Sequence, residues 1–282
     1  MSQTEKLAKM EQTVVDNLIS ELESGHLPIW EKEWLTLGLP SNFESKHEYS
    51  GANIFILLFS RQRGGYSSNY WVTSAACRKL GARILKGEKS TLIQQPLNGG
   101  PIRERDRSTG EETIKILPTT RFGCIPVFNL DQTTIDAPAV DLTPTGKSNK
   151  RAEKCIADFD VETVYMGDAA FYSLRDDKVT LPESFTSLSG KYSTAFHEFG
   201  HATAHKSRLD RKLGGVFGSP SYAKEELVAE LCSAFTCAHF RVEGELQHAS
   251  YIQHWITLLK ENKHALFSAC SNADKASQFI RA

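Results

Sequence analysis

The chain has no run of 18 or more apolar residues, so no helix that crosses a membrane is expected. Its N-terminus, Met-Ser-Gln-Thr-Glu-Lys, leads into no apolar segment, and no secretory leader is expected. The six cysteines (77, 124, 155, 232, 237 and 270) include no C-x-x-C. That scatter argues against a disulfide framework and for reduced thiols in a cytoplasmic protein. Surplus charge is also missing. The formal net charge is −1, so total charge alone selects no partner. Gly146-Lys147-Ser148 resembles the end of a P-loop, but position 141, where the first glycine belongs, is aspartate. Nucleotide binding is not expected there.

The 282 residues are 40% hydrophobic and 24% charged. That is enough for a buried core, and the length suits two domains. The strongest local signal is His197-Glu198-Phe199-Gly200-His201, an H-E-x-x-H string. On a helix, residues four apart share a face, so both imidazoles can address one ion. Glu198 sits beside the first of them, where a carboxylate can reach an attacking water without being a ligand. Phe196, Phe199, Ala195 and Ala202 make this helix largely apolar, and two histidines on such a helix need partners. Gly200 in the helix interior costs about 1 kcal/mol relative to Ala, which points to a close contact.

A third ligand is expected on the next helix. Ser219-Pro220 reads as an N-cap and first helical residue. Behind it Glu226 and Glu230 lie on one stripe of an otherwise apolar segment. A carboxylate pair there is costly to bury without a positive partner. Glu226 is the candidate third metal ligand, and Glu230 the carboxylate that orients the His197 ring. The expected ion is zinc, with manganese permitted by a His₂Glu set. The pattern resembles the gluzincin class of metallopeptidases. A metzincin would need a third histidine at 207, which is serine, and Asp210 is a weaker alternative ligand.

Charge is uneven along the chain. Residues 46–121 hold 13 Lys and Arg against 6 Asp and Glu, whereas residues 131–282 hold 17 against 20. The basic part is interleaved with aromatics, as on single-strand-binding surfaces. The candidate DNA contacts are Arg61, Arg63, Tyr66, Trp71, Arg83, Lys86 and Lys89. Of these, Arg83, Lys86 and Lys89 are the best phosphate candidates. The bland alternative is that the bases coat a solvated face and the aromatics are core. Trp30 and Trp34 stand as stacking platforms or core anchors.

The pattern predicts helices over residues 6–24, from Ala52, over 74–80, over 151–157, around H-E-x-x-H, from Pro220, and over 250–260 and 263–280. Strands are expected near 90–93, 114–117, 122–128, 161–165, 170–173 and 178–182, and residues 69–73 read as a strand or a helix entry. Residues 98–112 read as a hairpin tip. Residues 131–150, rich in Thr, Pro and Asp, read as an extended linker. The expected fold is therefore α+β in two domains: 1–130, which holds the candidate DNA contacts, and 151–282, gluzincin-like.

Pro40-x-Asn42, Tyr49-x-Gly51-x-Asn53, Trp71-x-Thr73, Leu80-Gly81, Lys86-Gly87-Glu88-Lys89 and Val127-Phe128-Asn129 resemble the N-terminal domain of ArdC-type antirestriction proteins. Tyr172, Asp177, Leu181-Pro182, H-E-x-x-H, Arg208-Leu209 and the run from Tyr222 to Leu231 fit the same family. The resemblance implies a single-stranded-DNA-binding domain joined to a zincin-like domain. It also implies protection of incoming plasmid DNA from host restriction, with an unidentified protein as the peptidase substrate. Two other readings stay open. One is a DNA-covering protein whose metal site is structural or vestigial. The other is an intracellular metallopeptidase unrelated to restriction.

Overall fold

A computed structural model describes residues 2–25, 37–98, 100–105, 112–117, 121–136, 138, 148–212, 219–244 and 251–282. Trp30, Trp34, the tip of the hairpin and half of the linker lie outside them.

The N-terminal half is a small sheet between helices. Helix α1 (Gln3–Glu23) starts at a capping box in which Ser2 and Glu5 satisfy each other's backbone N–H. Its buried stripe is Met10, Val15, Leu18, Ile19 and Leu22. Helix α2 (Ala52–Gly64) buries Ile54 through Phe59 without a break, so that stretch is enclosed on all sides, and only its last turn is exposed. It ends at Gly65 in the left-handed conformation, a residue without Cβ where a Cβ would be strained. Strands β1 (Ser41–Asn42), β2 (Tyr70–Val72), β3 (Thr91–Pro96) and β6 (Phe122–Asn129) form a sheet in the order β1-β2-β6-β3. Only β1–β2 is parallel, and Trp71 faces Asn129 across β2–β6. Helix α3 (Ser74–Lys79) follows β2 directly, capped by the Thr73 hydroxyl. Strands β4 (Gly100–Arg105) and β5 (Glu112–Leu117) pair as a separate antiparallel ribbon. Part of the stretch read as a hairpin tip is therefore strand.

The linker also begins later than its composition indicates. A 3₁₀ turn spans Leu130–Gln132, capped by Asn129. Thr133 bridges to Ile84, and Ile135 packs beneath Val72 and Leu130. These residues belong to the N-terminal half because Gln132 is buried and bound to Glu88 and to the Lys89 carbonyl.

The C-terminal half opens with α4 (Lys150–Asp158), capped by Asn149. Strands β7 (Glu162–Tyr165), β8 (Phe171–Ser173) and β9 (Lys178–Leu181) form a sheet with β9 in the centre, parallel to β7 and antiparallel to β8. Among the described residues four helices follow: α5 (Leu188–Ala202), α6 (Pro220–Phe240), α7 (Ile252–Glu261) and α8 (His264–Ile280). Helix α6 runs through the middle, packed on α5 and α8. The halves meet where α1 lies on α7 and α2 on α8. There the buried Asp274 of α8 accepts from the Gly51 backbone N–H at 2.7 Å. One hydrophobic core runs from Leu18 and Phe55 through to Phe199 and Phe235.

Candidate metal centre

Helix α5 starts where the Ser187 hydroxyl accepts from Gly190 N–H at 2.9 Å. Its aromatic side chains anchor it. Phe199 meets Phe159 with ring centroids 4.6 Å apart, and Phe196 stacks on Phe240 at 5.8 Å. On the side facing α6 stands Gly200. A Cβ there would come within 3.3 Å of both Ala229 Cα and Cys232 Cβ. The missing side chain lets the two helices close on each other, which is the close contact the sequence called for.

That contact has a testable consequence. Gly200→Ala gains about 1 kcal/mol of helix propensity but pushes on main-chain and Cβ atoms that cannot rotate aside. The net expectation is a loss of about 1–2 kcal/mol and weaker metal binding, because α5 and α6 carry different candidate ligands. Thermal unfolding and a metal titration of the same variant check both.

Helix α6 begins with Ser219 as N-cap and Pro220 behind it, as the sequence indicates. It ends at Arg241 in the left-handed conformation. Glu226 and Glu230 are 4% and 0% exposed, so the stripe faces inward. Three side chains converge. His197 Nε2 and His201 Nε2 are 3.1 Å apart, His197 Nε2 is 3.5 Å from Glu226 Oε2, and His201 Nε2 is 3.6 Å from Glu226 Oε1. A tetrahedral zinc site with bonds of roughly 2.0–2.1 Å has edges of about 3.3–3.4 Å. The observed triangle brackets that value, so these residues fit an ion of this class.

The other ring nitrogens face carboxylates. His197 Nδ1 lies 3.6 Å from Glu230 Oε1, and His201 Nδ1 lies 3.5 Å from Glu225 Oε1. A carboxylate behind each Nδ1 turns each Nε2 toward the shared point. Burial opposes a charged His201, but Glu225 and Glu226 more than offset it, raising its pKa to about 10. Burial likewise works against an ionised Glu226, and the two imidazoles overcome it, holding its carboxyl well below the usual range. The pocket thus favours positive charge at its centre. Glu198 is 4% exposed, and its charge also acts on His201.

Glu225 and Arg211 escaped the sequence reading. Arg211 donates to Glu225 Oε1 at 2.7 Å, to the Gly200 carbonyl at 2.8 Å and to Thr203 Oγ1 at 2.6 Å. It joins the end of α5 to the carboxylate behind His201. Three glutamates on one apolar helix was the available signal, since each needs a cation nearby. Arg208, Asp177 and Tyr172, which had appeared only as family motifs, form a second clamp. Arg208 Nε donates to the Ala202 carbonyl at 2.7 Å and its guanidinium pairs with Asp177, while the Tyr172 hydroxyl donates to Asp177 at 2.7 Å. Burial pushes Asp177 up, yet Arg208 and Tyr172 bring it below the ordinary carboxylate value. Burial and Asp177 in turn push Tyr172 up to about 12. Tyr251 donates to Tyr222 at 3.2 Å, one helical turn before Glu226, while His254 is exposed.

The candidate DNA contacts divide. Arg63, Arg83, Lys86 and Lys89 are exposed and Tyr66 is half-buried. Arg61 and Trp71 are 3% and 0% exposed, and they are corrected to core residues. Trp71 lies on the central pair of strands, edge-on to Tyr66, and offers no face to a base. A basic groove of about 700 Å³ lies between α1, α2 and β3. Lys6, Lys9, Arg63 and Lys89 line it together with Tyr66 and Phe59.

Comparison with known proteins agrees with both halves. Residues 8–122 match the N-terminal domain of anti-restriction factor ArdC, and residues 150–272 match a zincin-like metallopeptidase domain, which implies a metal. Protein y4eC of Sinorhizobium fredii (strain NBRC 101917 / NGR234) is 30% identical over 96% of this chain and 91% of its own length. A DNA primase TraC of Escherichia coli is 33% identical over 96% of this chain, which spans 27% of that larger protein. The metal-free crystal structure of antirestriction ArdC from plasmid R388 superposes with a TM-score of 0.75 at 30% identity, covering 96% of both chains. Its Mn(II)-bound form gives 0.74 at 29%. Among the described residues no helix is long and apolar enough to cross a membrane. With both halves matched and a solved relative covered nearly end to end, the chain belongs to the ArdC family of antirestriction proteins.

Proposed function

We propose that this protein shields incoming plasmid DNA from restriction by binding single strands through residues 1–130, and that residues 151–282 carry a metal-dependent peptidase site. The observation that carries the second half is the triangle of buried His197, half-buried His201 and buried Glu226, with the buried Glu198 beside the first histidine. Zinc is the proposed ion, and manganese suits the same donors. When bound, the ion supplies Lewis-acid polarisation and a more acidic water. The chain's own part is positional. His197, His201 and Glu226 hold the site, Glu225 and Glu230 fix the rings, and Glu198 takes the proton of the attacking water and returns it to the leaving amine. The substrate class is a protein.

For the first half, the basic groove supports the reading. Its cations can track a phosphate backbone, and Tyr66 is among the residues that line it. Four cations on four phosphates give a slope of about −3 for log affinity against log salt on single strands. Full-length protein titrated with single- and double-stranded oligonucleotides across a salt series tests it. The triple change Lys9→Gln, Arg63→Gln, Lys89→Gln should make the slope shallower by about 2. An unchanged slope would move the binding face elsewhere, with Arg83 and Lys86 next in line.

A second reading has one observation in its favour. His197 and Glu230 are almost wholly buried, so an ion there would tie α5 to α6 in mid-core, whether or not it turned over substrate. DNA binding alone would then carry antirestriction.

A further inference from the structure

At the far end of α6 from the candidate metal centre, three basic side chains converge, from α4, from α6 and from the residue that follows α8. Arg151 of α4 places Nη2 3.3 Å from His239 Nε2, and Arg281 places Nη1 2.6 Å from His239 Nδ1. A guanidinium only donates hydrogen bonds. A neutral imidazole has one donor nitrogen and one acceptor, so it can satisfy only one of the two arginines. The second contact sets donor against donor in either tautomer. Protonating the ring makes both contacts unfavourable, and burial together with Arg281 and Arg151 drives the His239 pKa down to about 4.

Among the described residues, no carboxylate within hydrogen-bond reach resolves the conflict. Glu48 Oε2 is 3.9 Å from both His239 Nδ1 and Arg281 Nη1, beyond hydrogen-bond reach, and its side chain is half exposed. Lys154 and Asp158 of the same corner pair with each other. The Arg281 Nε is buried and has no hydrogen-bond partner among the described residues. The three groups edge a cavity of about 590 Å³ between α4, α6 and α8, whose other charged lining side chains are the paired Lys154 and Asp158 and the carboxylate of Asp160.

We infer that this corner is an oxyanion site that takes a phosphate group, held by Arg151, Arg281 and the His239 N–H together. An oxyanion supplies the acceptor the cluster lacks. Two guanidiniums suit a phosphate because each can present paired N–H groups to its oxygens. The phosphate belongs either to a free phosphate or phosphomonoester, or to a nucleic-acid backbone. The inference rests on neither the metal centre nor the N-terminal groove.

The test reads His239 itself. Its imidazole resonance in the full-length protein is identified by its loss in His239→Gln, then followed during titration with inorganic phosphate at ionic strength held constant with chloride. Saturable movement is expected. Arg151→Gln and Arg281→Gln should each weaken it about tenfold or more. Glu48→Gln should strengthen it by removing a competing carboxylate, and this exposed change leaves the fold intact. A second titration uses a single-stranded oligonucleotide without terminal phosphates. Movement at lower concentration than with phosphate assigns the site to the backbone, and movement with phosphate alone assigns it to free phosphate. No saturable movement with either probe overturns the inference. So does equal movement with chloride alone, or phosphate binding unchanged in both arginine variants.

Discussion

Glu198→Gln should keep its metal and lose peptide cleavage by about 10²–10⁴-fold, the usual contribution of a positioned general base. The geometry separates the two properties. The donor triangle consists of His197, His201 and Glu226, and Glu198 is outside it. Glutamine keeps the size and shape of the buried side chain but cannot take a proton from water. His201 does lose one of the negative charges that act on it, but Glu225 and Glu226 act on it more strongly. Metal affinity should therefore stay within about tenfold of the parent, since the ligands and their carboxylate partners are untouched. Cleavage of an unfolded-protein substrate, metal content and protection of incoming DNA can be measured on the same variant. If cleavage and protection vanish together, the peptidase is the working part. If cleavage vanishes and protection survives, the DNA-covering reading replaces it. If cleavage continues, Glu198 is not the base.

Much of this centre was legible because it obeys helical spacing. His197 and His201 are one turn apart, and so are Glu226 and Glu230. A carboxylate stripe on an apolar helix announces burial. What stayed illegible depends on contacts between distant segments. Arg211 lies 14 residues before Glu225, and only the folded end of α5 brings them together. Lys6 and Lys9 belong to a helix read merely as amphipathic. They reach Lys89 and Arg63 because α1 docks across the sheet. Arg61 and Trp71 failed in the opposite direction. Composition placed them among basic and aromatic neighbours, but α2 is enclosed over most of its length, and a three-residue strand shows no alternation that would tell its inner face from its outer. Likewise Thr133 joins the first domain through one bridge to Ile84, a pairing no local pattern encodes.

The carboxylates of α6 should rank clearly in metal affinity. Glu226→Ala should cost most, more than about 100-fold, since a direct ligand outweighs the partners behind it. It removes the only carboxylate of the donor triangle and leaves two imidazoles 3.1 Å apart with nothing to close the site. Glu230→Gln and Glu225→Gln should each cost about 10–100-fold. An imidazole that binds through Nε2 carries its proton on Nδ1, and a carboxylate facing that proton raises the basicity of the opposite nitrogen. Glutamine can still accept the hydrogen bond but no longer supplies the charge. The two variants should differ without metal. Glu225→Gln leaves Arg211 without its carboxylate, although the Gly200 carbonyl and Thr203 hydroxyl still accept from it. That should lower the stability of the metal-free protein by about 1–3 kcal/mol. Competition against a chromophoric chelator gives the affinities, and denaturant unfolding of the metal-free variants gives the stabilities. Wild-type affinity in Glu226→Ala would remove Glu226 from the ligand set. Equal affinity in Glu225→Gln and the parent would reduce the Arg211–Glu225 pair to a structural tie between α5 and α6, with no hold on the ring of His201.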